Sequence, residues 1–104
     1  MALTRGFRES VVERARQDSD FRAGLLTEAV NCILSDEIEV AKSLLRDYVN
    51  ATIGFQQLGE LTNKEPKSLM RMLSKSGNPR LENVSSLLAC LSRYEGIELH
   101  VEAR

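Results

Sequence analysis

Lys67, Ser68 and Arg71 are the side chains whose types and spacing best suit chemistry, and that chemistry is recognition. On a helix at about 100° per residue, Arg71 lies about 40° from Lys67 and Met70 about 60° to its other side, with Ser68 on the flank. Leu69, Met72 and Leu73 fall on the opposite side, so the face carrying the basic pair points outward. An arginine so placed can make a bidentate contact with guanine. A lysine can reach phosphate or guanine, a serine can bond either, and Met70 can touch a thymine methyl. Any amphipathic surface helix has a charged outer face, so its setting must discriminate.

Catalytic and metal chemistry finds little to work with. Cys32 and Cys90 each sit among apolar helical neighbours with no second ligand nearby, the pattern of a buried free thiol. His100 has no Cys, Asp or Glu at zinc-ligand spacing and is read as a surface or strand histidine. No nucleophile–base pair is visible, so the chain is not expected to be an enzyme, and neither a metal nor a cofactor is implied. At 104 residues, 42% apolar and 28% charged, the chain suits one globular domain. No apolar run approaches the roughly 20 residues of a membrane span, and the N-terminus lacks a signal-peptide core. A cytoplasmic setting is expected.

The net charge of −1 at first argues against a polyanionic partner, but its distribution argues back. Residues 54–80 hold five Lys/Arg against two Asp/Glu, a balance of +3, while residues 1–53 and 81–104 are each at −2. Attraction to phosphate responds to this local density, because the Debye length is about 8 Å at physiological salt.

Helical spacing governs the elements that must position these residues. Phe7, Val11, Val12 and Ala15 mark a first helix ending near Gln17. Asp18-Ser19-Asp20 supplies an N-cap and acidic first turn for a second, with Phe21, Leu25, Ala29, Cys32 and Ile33 on one stripe. Ser35-Asp36 is expected to break it and cap a third, which runs from Ile38 through Leu45 and Tyr48 to a boundary at Gly54. A fourth helix is predicted at about 55–61, with Gly59 permitting a close approach. A turn at 62–65 follows, with Asn63 taking positive φ. Glu65-Pro66 opens a fifth helix to about residue 74, because proline suits the first helical position and the residue before it is extended. A Ser76-Gly77-Asn78-Pro79 turn leads to a sixth helix, capped by Asn83 or entered nearer Arg80, with Val84, Leu87, Leu88 and Leu91 inward, ending near Gly96. Ile97, Leu99 and Val101 then alternate with Glu98, His100 and Glu102, a half-buried strand pattern. Such a strand either pairs with its twin in a second copy, the favoured reading, or lies as a tail over the core. The expected fold is all-α: one domain of about six helices, with N-terminal helices (1–53), a helix-turn-helix core (54–94) and a C-terminal strand or tail (95–104).

The run LRDYVNATIGFQQLGELTNKEPKSLMRMLSKSGNP, followed by a helix and a short strand, resembles the bacterial addiction-module antidote-like transcriptional regulators. These have a phage-repressor-like (lambda-repressor-like) helix-turn-helix. Leu45-Arg46-Asp47-Tyr48, Gly54-Phe55, Pro66-Lys67-Ser68-Leu69, Arg71-Met72-Leu73 and Gly77-Asn78-Pro79 carry the likeness. It implies a homodimer that binds double-stranded DNA, often paired with a small toxin protein encoded beside it. The antidote holds the toxin and represses their shared operon. The base-reading slots of the repressor type fall on Pro66, Lys67, Ser68 and Arg71. Phe55 stands where many repressors place a phosphate-clamping glutamine, with Gln56 beside it.

The expected interface follows. Backbone N–H groups of Phe55 and Gln56 would hold a phosphate at the positive end of the fourth helix. Lys64, Lys75, Asn78 and Arg80 would add phosphate contacts, and Lys67, Ser68 and Arg71 would read bases. The competing expectation is a protein-binding module with little DNA affinity. Its partner would dock where Glu37 and Glu39 flank Ile38 and Val40.

Overall fold

The computed structural model describes residues 5–104. They form six helices: α1 (Arg5–Gln17), α2 (Ser19–Leu34), α3 (Ile38–Ala51), α4 (Gly54–Thr62), α5 (Pro66–Met72) and α6 (Leu81–Glu95). Local chemistry sets most of the boundaries. Asp18 caps α2, its carboxylate accepting the Phe21 N–H at 3.1 Å. Asn63 ends α4 in the left-handed conformation, at φ 55°. Glu65 is extended and Pro66 begins α5. The backbone turns at Gly96, with φ 75°, and the Ile97 N–H returns to the Ser92 carbonyl at 3.0 Å, closing α6.

Three boundaries differ from the expectation. Ser35-Asp36 does not cap α3; it finishes α2. Asp36 takes φ 62° and the Glu37 N–H reaches back to the Cys32 carbonyl at 2.8 Å, which satisfies an orphan carbonyl of α2. Glu37 then precedes α3 without a side-chain cap. Helix α5 stops at Met72, two residues early: the Ser74 N–H and hydroxyl both turn to the Arg71 carbonyl, at 3.1 and 2.7 Å, and the Leu73 carbonyl accepts from Arg46 of α3. Residues 97–104 form no strand: a single chain offers them no ladder partner, and the alternation survives only as burial. Ile97 and Leu99 pack against the core while Val101 is 68% exposed.

α2 and α3 pack along each other most extensively, and α1 lies across both. α4 packs on α3, α5 packs on α4, and α6 returns against α4 and α2. Tyr48, Val49, Leu26, Leu58, Leu69, Leu87 and Leu91 are fully enclosed, so side chains from five helices share one centre. A buried polar cluster fastens this core. Arg22 donates to both Glu95 oxygens at 3.0 and 3.1 Å, and the Tyr48 hydroxyl donates to Oε1 at 2.7 Å. Arg22 also reaches the Ala15 carbonyl at 3.0 Å, tying α1 to α2, α3 and α6. Burial, and then the bond to Glu95, push the Tyr48 phenol well above its ordinary pKa, so it serves as a permanent donor.

Gly59 permits the tight α4–α5 connection. A Cβ there would stand 2.7 Å from the Lys64 carbonyl oxygen and 3.2 Å from the Pro66 ring. The close approach expected at Gly59 is thus made by the turn and the first residue of α5.

Candidate functional site

Helix α5 is short and presents two unlike faces. Leu69 and Leu73 are 1% and 2% exposed, Met72 is half-buried, and Lys67, Met70 and Arg71 stand in solvent. Ser68 is half-buried on the flank, so the angular arithmetic from the sequence holds at each of these positions.

Two cations of α3 fix the end of this helix and the loop beyond it. Arg46 Nη1 donates to the Leu73 carbonyl at 2.9 Å. Lys42 Nζ donates to the Gly77 carbonyl at 2.8 Å and the Lys75 carbonyl at 3.4 Å, and pairs with Glu39 at 2.8 Å. Lys42 is only 4% exposed, and its charge is spent on Glu39 and on two carbonyls of the loop that follows α5. Sequence reasoning missed both residues. A signal existed: Lys42 falls on the apolar stripe of Ile38, Ala41 and Leu45, where a lysine needs buried acceptors. Gly77 completes the arrangement. A Cβ there would overlap the Arg71 carbonyl and lie 2.7 Å from that of Met72, so the loop folds flush against α5.

Two open grooves flank the outer ridge of α5. One, of about 540 Å³, brings together Lys64, Ser68, Arg71, Asn78 and Arg80, with Glu65 on its wall. The other, of about 510 Å³, is lined by Arg46, Asn50, Phe55, Lys67, Met70 and Arg71. Arg71 stands on the crest between them. Of the residues expected to act together, Gln56 and Lys75 line neither groove. Gln56 opens onto a separate depression with Gly59, Glu60 and Asn63. Lys75 is exposed, and it is its carbonyl that the structure uses. Phe55 is half-buried and packs its ring against the core. Arg80 meets Glu82 at 3.7 Å, but both side chains are largely exposed and such a pair constrains little.

Cys32 and Cys90 are buried free thiols, and burial, reinforced by Glu28 and Glu37, raises the Cys32 pKa, which disfavours a thiolate. Among the described residues no cluster of His, Cys, Asp and Glu could hold a metal ion, and no helix is long and apolar enough to cross a membrane. The docking site expected around Ile38 and Val40 is divided by helical geometry. The two residues lie about 200° apart on α3, and Ile38 alone lines an apolar groove against Leu81 and Val84.

The chain matches no family model, no curated protein and no solved structure.

Proposed function

We propose that the chain is a sequence-specific regulator that binds double-stranded DNA, with α4, the turn and α5 acting as a helix-turn-helix. One observation carries the reading: Lys67 and Arg71 project from a helix whose opposite face is buried and whose end and following loop are held by Arg46 and Lys42. A cationic ridge of about one helix diameter between two grooves suits the major groove, which is about 12 Å wide. Arg71 and Lys67 would contact base edges, with Ser68 on the flank. Lys64, Asn78 and Arg80, gathered in one groove, would meet the phosphates on one side, with Lys75 further out. On the other side the N–H groups of Phe55 and Gln56 would hold a phosphate at the start of α4. Residues 97–104 would supply the homodimer contact as strands paired across a twofold axis, which gives two half-sites about one DNA turn apart.

The direct test is a fluorescence-anisotropy titration of the DNA upstream of the chain's own reading frame, across a salt series. Binding should weaken steeply with salt, through the release of counterions, and resist unrelated competitor DNA. Salt-insensitive binding, or equal competition by any sequence, would remove the reading. The antidote role implied by the resemblance is a separate proposal. It expects the product of a neighbouring reading frame to co-purify with the chain at fixed stoichiometry.

A further inference from the structure

We propose that the apolar groove between the start of α3 and the start of α6 docks a basic amphipathic segment of a partner protein. The inference places and characterises the protein-partner side of the proposed function, and it needs nothing from the DNA-binding side.

The groove encloses about 250 Å³, with Ile33, Ile38, Leu73, Leu81 and Val84 among its walls. Leu81 is 83% exposed and Ile38 40%. Large apolar side chains grouped at the lip of a cleft mark a surface that gains from being covered. Charge identifies what covers it. No carboxylate lines the groove itself, but Asp36 and Glu37 directly precede the lining residue Ile38, in a stretch (residues 23–41) that holds four Asp/Glu and no Lys or Arg. Asp36 and Glu37 are exposed and form no ion pair among the described residues. The one cation lining the groove, Lys42, is turned inward onto the Gly77 carbonyl and Glu39.

Other occupants fit less well. Nucleic acid is repelled by this sign of charge. A second copy meeting the same patch across a twofold axis would set acid against acid. The volume falls below the roughly 300 Å³ at which small-molecule pockets begin, but it accepts one or two side chains of a helix laid in the groove. Leucine-like anchors would enter between Ile38 and Leu81, while lysines or arginines flanking them would meet Asp36 and Glu37.

The test uses a synthetic helical peptide with leucines on one face and lysines on the other, titrated into the full-length, isotope-labelled chain and followed by amide NMR shifts. Saturable shifts confined to the residues around the groove are expected, with affinity lost when the peptide's leucines become serine or its lysines become glutamate. Leu81→Asp should weaken binding about tenfold, as loss of an interface anchor does. Leu81 is exposed at the first position of α6, so this variant keeps the core, and a thermal melt verifies it. Arg71→Ala should leave peptide binding unchanged, whatever it does to DNA, which separates the two readings. Equal binding of the serine peptide, shifts spread over other faces, or indifference to Leu81→Asp would each overturn the proposal. So would sedimentation showing that Leu81→Asp splits a dimer, since a second copy would then own the groove.

Discussion

Residues 54–80 and residues 23–41 make an instructive pair. The first hold five Lys/Arg against two Asp/Glu, the second four Asp/Glu and no Lys/Arg. They differ as much in construction as in sign. The basic region is built from short helices of nine and seven residues that contribute few buried side chains of their own, so distant groups must hold them: Arg46, Lys42 and the flush loop at Gly77. The acidic region spans most of the 16-residue α2 and the start of α3, which pack along each other and need little help. Short helices are marginal without tertiary support. A recognition surface made of them therefore carries its scaffolding in the elements behind it.

Adding one Cβ to each region should break that symmetry most sharply. Gly77→Ala places a methyl against two α5 carbonyls and should cost on the order of 3 kcal/mol in a denaturant titration, with the loop displaced from α5. A loss below about 0.5 kcal/mol would show that the loop yields freely. Lys42→Met comes next. It removes the donor to Gly77 and Lys75 and should cost about 2 kcal/mol, with Lys42→Arg recovering part of it, by the same measurement. Equal stability of all three proteins would mean the carbonyls find water instead.

Arg71→Ala should act on binding alone. We expect a loss of about 1–3 kcal/mol on a cognate DNA site and blurred sequence preference in competition assays. Thermal stability should stay within about 0.5 kcal/mol, because the side chain is exposed. Lys75→Ala should instead weaken all DNA sequences alike and flatten the salt slope by about one. The smallest effect belongs to the acidic region. Gly24 is an exposed position within α2 with open space at its Cβ, so Gly24→Ala should stabilise by up to about 1 kcal/mol in the denaturant titration. Opposite signs for Gly24→Ala and Gly77→Ala would sharpen the contrast between a self-sufficient region and a scaffolded one.

Boundaries governed by neighbours in the chain were readable before any coordinates. Asp18 caps because its carboxylate reaches a nearby N–H, Asn63 tolerates positive φ, and Pro66 is shaped for the start of a helix. The faces of α5 were readable for the same reason, as helical periodicity alone places Leu69 and Leu73 opposite Lys67. Ser35-Asp36 misled because both residue types also favour helix starts, and only the return of the Glu37 N–H to Cys32 shows which helix they serve. The C-terminal alternation was real as a burial pattern but does not by itself supply a ladder partner.

The sequence by itself determined the helices, the inward and outward sides of α5, and the two concentrations of opposite charge, since these depend on residue order and near neighbours. Tertiary structure alone decided that Arg46 holds the end of α5 and Lys42 the loop beyond it, that Arg71 crests two grooves, and that Ile38 lines a groove with Leu81 while Val40 does not. The physical reason is distance along the chain. Arg46 and Leu73 lie 27 residues apart, and Arg22 and Glu95 lie 73 apart. A hydrogen bond between such groups forms only after packing has carried both ends to the same place.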